Sequence, residues 1–113
     1  MMISYNNKVF RAISNSDNGE VDSETLFHYQ QEGNILTCTY AGNRILYGHL
    51  IATVSPHGEL DMRYHQVNNA GEITTGICRS KPEILVSGKI RLHEKWQWTS
   101  GDLSAGESVL EEV

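Results

Sequence analysis

A short pattern, glycine then a polar residue then isoleucine or leucine, recurs along the chain as Gly33-Asn34-Ile35, Gly58-Glu59-Leu60, Gly71-Glu72-Ile73 and Gly88-Lys89-Ile90. Glycine adopts positive φ without steric cost, which tight hairpin turns require. The residues ahead of each glycine, such as Pro56-His57 and Asn68-Asn69-Ala70, are mostly turn formers. Each copy therefore reads as a turn that releases a strand, and Ala41-Gly42-Asn43 and Ser100-Gly101-Asp102 supply two further turns. Between the turns the chain is rich in Ile, Val, Thr, Tyr and Trp, and no stretch keeps a helical period. Strands are expected at 8–13, 24–30, 35–41, 44–54, 59–67, 72–80, 89–98 and 107–112. Ser14 to Glu20 reads as a polar loop, and Lys81-Pro82-Glu83 is expected to break the sixth strand before Ile84-Leu85.

Strands joined by short turns are antiparallel neighbours, so the expected topology is an all-β, up-and-down meander. About eight strands can close on themselves, which removes the exposed edges of an open sheet. The favoured fold is a small calycin-like barrel, the lipocalin and avidin type of architecture, with a two-sheet sandwich as the alternative. The 113 residues suit one domain, 1–113.

Charge and composition remove several function classes. The net charge is −5, with acids gathered between Asp102 and Glu112, so nucleic acid is not an expected partner. No apolar run is long enough to cross a bilayer, and the first residues lack the layout of a secretory signal, so no membrane association and a cytoplasmic location are expected. Cys38 and Cys78 have no CxxC partner, and cytosolic thiols stay reduced, so both are expected free. His28, His49, His57, His65 and His93 show no HxH or HxxxH spacing, and no metal or cofactor is expected. GxSxG, GxxxxGK[ST] and GxGxxG are absent as well.

Side-chain alternation then sorts the strand faces. Starting two residues after the glycine, the fifth strand presents Leu60, Met62, Tyr64 and Gln66, and the seventh presents Ile90, Leu92, Glu94, Trp96 and Trp98. These faces go inside. Both strands leave the same end of a meander, so the interior is graded. Leu60, Met62, Ile90 and Leu92, joined by Ile77, are expected to plug one end. Tyr64, Gln66, Glu94, Trp96 and Trp98 gather toward the other, as the aromatic walls and few polar groups of a small-molecule site. Glu94 on an apolar face must find a partner or become neutral. On the fourth strand Leu46, Gly48, Leu50, Ala52 and Val54 form the apolar face, and Tyr47 and His49 point outward. Arg63 and His65, with Arg91 and His93, fall on the outer face, and a bulge that turned Arg63 and His65 inward would add them to the site as anion-binding groups.

The segments Asp61-Met62-Arg63-Tyr64-His65-Gln66-Val67-Asn68, Gly88-Lys89-Ile90-Arg91-Leu92-His93-Glu94 and Trp96-Gln97-Trp98-Thr99-Ser100-Gly101-Asp102 resemble a family of small bacterial proteins often labelled N-acetylglutamate synthase. The resemblance covers nearly the whole chain, and it implies acetyl transfer from acetyl-CoA to glutamate. Three functions stay open at this point: a small-molecule-binding barrel, an enzyme using Glu94 as acid or base, and a structural β-domain without ligand.

Overall fold

The computed structural model describes residues 3–113. The chain forms strands β1 (Lys8–Asn15), β2 (Leu26–Glu32), β3 (Ile35–Gly42), β4 (Ile45–Val54), β5 (Leu60–Asn68), β6 (Ile73–Ile84), β7 (Ile90–Trp98) and β8 (Ala105–Glu112). Every strand pairs antiparallel with the next, and β8 pairs with β1 to close the barrel. The meander and its closure are those expected, and the sandwich is excluded. Gly33, Gly58, Gly71 and Gly88 all hold positive φ, between 61° and 88°, which explains the repeat that punctuates the chain. Among the described residues, no helix is long and apolar enough to cross a membrane.

Three local expectations are corrected. Strand β6 runs through Lys81, Pro82 and Glu83 instead of breaking there. Beyond Ser80 it has outrun β5, which begins opposite it at Leu60, and continues paired with β7 alone. That is an edge position, where the missing N–H of proline is tolerated. Leu46 lies outside and is 60% exposed, because a bulge between Ile45 and Tyr47 puts Ile45 in the core in its place. Tyr47 does point outward, and His49 stacks on His65 across the outer surface.

Ile77 is the third. It pairs with Arg63 and Gln97 on the outer face, and its neighbours Gly76, Cys78 and Ser80 point inward. The cause is the β5–β6 turn. The turns after β4 and β6 close on the inward positions Val54–Leu60 and Ile84–Ile90, whereas β5 ends on the outward pair Val67–Ile73. Inward-facing Asn68 serves as the first turn residue, its Oδ1 accepting from the N–H of Ala70 and of Glu72 at 3.0 Å each. The phase of β6 is thereby opposite to that obtained by counting from Gly71.

The barrel has two unlike ends. At one, Leu36, Leu60, Ile90, Leu92 and Leu110 fill the interior with Phe10 and Tyr29. Tyr5, fully buried, caps this end: its ring packs against Phe10 and Tyr29, and its hydroxyl donates to the carbonyl of Gly58. The Tyr5 N–H donates to Gln31 Oε1 at 2.9 Å, tying the leading segment to β2. At the other end, the ten residues 16–25 between β1 and β2 fold across the opening.

Candidate functional site

The inward rows of β5 to β8 build the site. From the capped end outward they read Leu60-Ser80-Glu94-Ser108, then Met62-Cys78-Trp96-Gly106, then Tyr64-Gly76-Trp98. Strands β5 and β7 carry the large side chains, and the facing positions of β6 and β8 carry glycine, serine or cysteine. A Cβ on Gly76 would lie 2.2 Å from the Tyr64 ring, and one on Gly106 would lie 2.4 Å from the Trp96 ring. Each ring thus lies over a strand stripped of bulk, an arrangement that holds an aromatic side chain in one place. Trp96 and Trp98 meet edge to face at 5.5 Å, and Tyr64 meets Trp98 at 5.9 Å.

Between these residues lies a cavity of about 50 Å³, lined also by Phe27, Leu50, Met62 and Cys78. At roughly 10–15 Å³ for each water, it accommodates a few water molecules or a compact ligand group. Sequence reasoning brought Tyr64, Gln66, Glu94, Trp96 and Trp98 to one end of the barrel, and the structure places all five on this cavity. Arg63 and His65 are not brought to it. Both are exposed on the outer face, and Arg63 pairs with Asp61 at 2.8 Å.

Glu94 is half-buried on the inner face of β7, and each of its two oxygens accepts from a serine. Ser80 Oγ donates to Oε2 at 2.6 Å, and Ser108 Oγ donates to Oε1 at 3.0 Å. Burial raises its pKa, and the serine hydroxyls oppose part of the rise. The same burial raises the thiols of Cys38 and Cys78 and the phenols of Tyr29, Tyr40 and Tyr64. Both cysteines are free, as expected. Tyr29 Oη is buried and has no hydrogen-bond partner.

The covering loop is the part of the site that sequence reasoning missed. Trp96 Nε1 donates to Asn15 Oδ1, and Trp98 Nε1 donates to the carbonyl of Asn18, both at 3.0 Å. Glu20 forms the main latch: it accepts from Gln66 Nε2 at 2.9 Å, from Asn68 Nδ2 at 2.6 Å and from Thr74 Oγ at 3.0 Å. Gln66 Oε1 in turn accepts from the Tyr40 hydroxyl at 2.7 Å. Gln66 therefore holds the cover rather than projecting a free amide into the cavity. The available signal was length, since this is the longest connection in the chain, and long structured loops in small domains tend to be functional.

A closed, up-and-down, eight-stranded barrel with one capped end and one pocketed end is a calycin-type barrel. The family model described as avidin-like protein matches residues 3–113, and the chain belongs to that family. No curated protein and no solved structure matches it.

Proposed function

We propose that this protein binds a small molecule in the cavity between Tyr64, Glu94, Trp96 and Trp98, with residues 16–25 as its cover. The observation that carries this reading is a half-buried, inward-facing carboxylate beside two indoles at the edge of open space, under a loop held by polar contacts. A barrel built only for stability fills its interior and needs no acid there, because an enclosed carboxylate is costly. Here β6 and β8 present only the small side chains of Cys78 and Ser108 to the cavity, while Gly76 and Gly106 make room for the Tyr64 and Trp96 rings that wall it.

Tyr64, Trp96 and Trp98 supply the walls, Glu94 supplies the polar anchor, and Gln66 supports the cover. Arg63 and His65 play no part in this reading. Acetyl transfer is not proposed, since no lysine, arginine or histidine lines the cavity to hold the phosphates of acetyl-CoA.

Both tryptophans of the chain line the cavity, so intrinsic fluorescence reports directly on its occupancy. Titration with a panel of small metabolites, paired with thermal shift, is expected to give a saturable change in emission and a matching rise in Tm for at least one class. A panel that moves neither signal removes the binding function.

A further inference from the structure

The polar chemistry of the cavity is one-sided. Among its lining residues, four carry side-chain N–H donors, and each of these groups already makes one bond within the protein. Asn15 Nδ2 donates to the carbonyl of Val21, Gln66 Nε2 donates to Glu20, and the two indoles donate to Asn15 and Asn18. The acceptors are less fully used. Each oxygen of Glu94 takes a serine bond and the Cys78 thiol also faces the carboxylate, which offers about four acceptor sites. A second carboxylate, Glu20, stands at the mouth, and no cationic side chain lines the space. Phe27, Tyr64, Trp96 and Trp98 complete the wall with rings whose faces attract positive charge.

From this lining we propose that the ligand is a compact organic cation bearing N–H donors, a protonated amine or an amidinium. It places its charge on Glu94 and its body against Trp96, Trp98 and Tyr64. The inference rests on the binding function proposed above and names the class of ligand. An anion entering this space meets two acids and no cationic side chain, with only the second N–H of the Asn15 and Gln66 amides and the Tyr64 hydroxyl to donate to it. A neutral molecule gains no charge pairing with Glu94.

The groups around Glu94 make the choice sharper. Ser80 and Cys78 face it from β6 and Ser108 from β8, while Tyr29, Cys38, Tyr40 and Tyr64 lie near it on β2, β3 and β5. None is cationic, and the thiols and phenols are held neutral by burial. Burial likewise favours the protonated form of Glu94 in the empty barrel. An arriving cation favours the ionised form, so binding tightens as pH rises through the titration of Glu94 and releases a proton wherever the empty barrel still holds one there.

The test compares isosteres on the intact protein: n-butylammonium, 1-butanol and butyrate, with benzamidinium, benzamide and benzoate as a planar series. Tryptophan fluorescence and calorimetry are expected to show each cation binding at least about tenfold tighter than its neutral and anionic counterparts. Calorimetry over a pH series, in buffers of different ionisation enthalpy, is expected to show proton release with the cations at the acid end that fades as pH rises, a readout that needs only the wild type. In Glu94→Gln, with folding checked by circular dichroism, the preference is expected to fall to about threefold or less. A neutral or anionic probe that binds as tightly as its cation overturns this inference and leaves the binding function standing. Cation binding that neither tightens with rising pH nor weakens in Glu94→Gln removes Glu94 as the counter-ion and overturns it too. Silence from all six probes and from the metabolite panel overturns both.

Discussion

Tyr64 lies directly across the β5–β6 ladder from Gly76, and its ring occupies the volume that any side chain at position 76 would need. Trp96 stands in the same relation to Gly106 across β7 and β8, and Tyr40 to Gly48 across β3 and β4. The rings that wall the cavity are therefore positioned from two sides, by packing within the barrel and by the missing side chain opposite.

Gly76→Ala and Gly106→Ala test this directly. Overpacking of a well-filled site costs about 1–3 kcal/mol, and urea denaturation is expected to show a loss in that range for each variant. Gly33→Ala serves as the control, since nothing lies within 4 Å of a Cβ there and its cost is confined to the φ of 61°. Gly76→Ala and Gly106→Ala are both expected to shift tryptophan emission and Gly33→Ala is not, because the methyl group at 106 displaces the Trp96 indole and the one at 76 displaces the Tyr64 ring packed on Trp98.

Tyr29→Phe is expected to be neutral or stabilising by up to about 1 kcal/mol, since it deletes a buried hydroxyl with no partner and keeps the ring. The ring matters more than the hydroxyl: it packs against Phe10 at 4.7 Å. Tyr29→Ala should cost about 3–5 kcal/mol by the same measurement.

Glu94 sets a pH dependence whose sign follows from its raised pKa. The native state holds the proton more tightly than the unfolded chain, so the contribution of Glu94 to stability is fully present below the unfolded pKa. It is lost as pH rises through the native pKa. Glu94→Gln removes this loss. Chemical denaturation is expected to place the variant above wild type at pH 8, with a smaller difference at pH 5. A difference that does not change with pH contradicts the assignment.

Glu20→Ala removes the acceptor shared by Gln66, Asn68 and Thr74 and frees the cover over the cavity. The expected destabilisation is modest, about 1–3 kcal/mol. Local opening should respond more strongly: the indole N–H groups of Trp96 and Trp98 are expected to exchange with solvent about tenfold faster or more, with β3 and β4 amides unchanged. Uniform acceleration throughout the barrel would mean that Glu20 supports the fold as a whole.

Much of the barrel was legible because glycines mark the turns and alternation marks the faces. Together they place Glu94, Trp96 and Trp98 on the inner surface from the sequence alone. Alternation failed where parity changed without a visible sign. Leu46 is apolar and sits in an apolar run, yet a single bulged residue turns it outward. Ile77 was assigned inward by counting from Gly71, and the count missed that Asn68 turns the chain from an inward position. Tyr5 and Glu20 were beyond reach for a different reason. Each acts through a contact distant in sequence, Tyr5 with Gly58 and Glu20 with Asn68, and neither belongs to a periodic element.

The stopper formed by Tyr5 turns the barrel into a blind tube. Whatever enters past Glu20 must leave by the same door, so arrival and departure share one kinetic gate. Loop substitutions that change only how often this gate opens will speed or slow both directions together and leave the equilibrium constant untouched. Substitutions on the wall will change residence time alone.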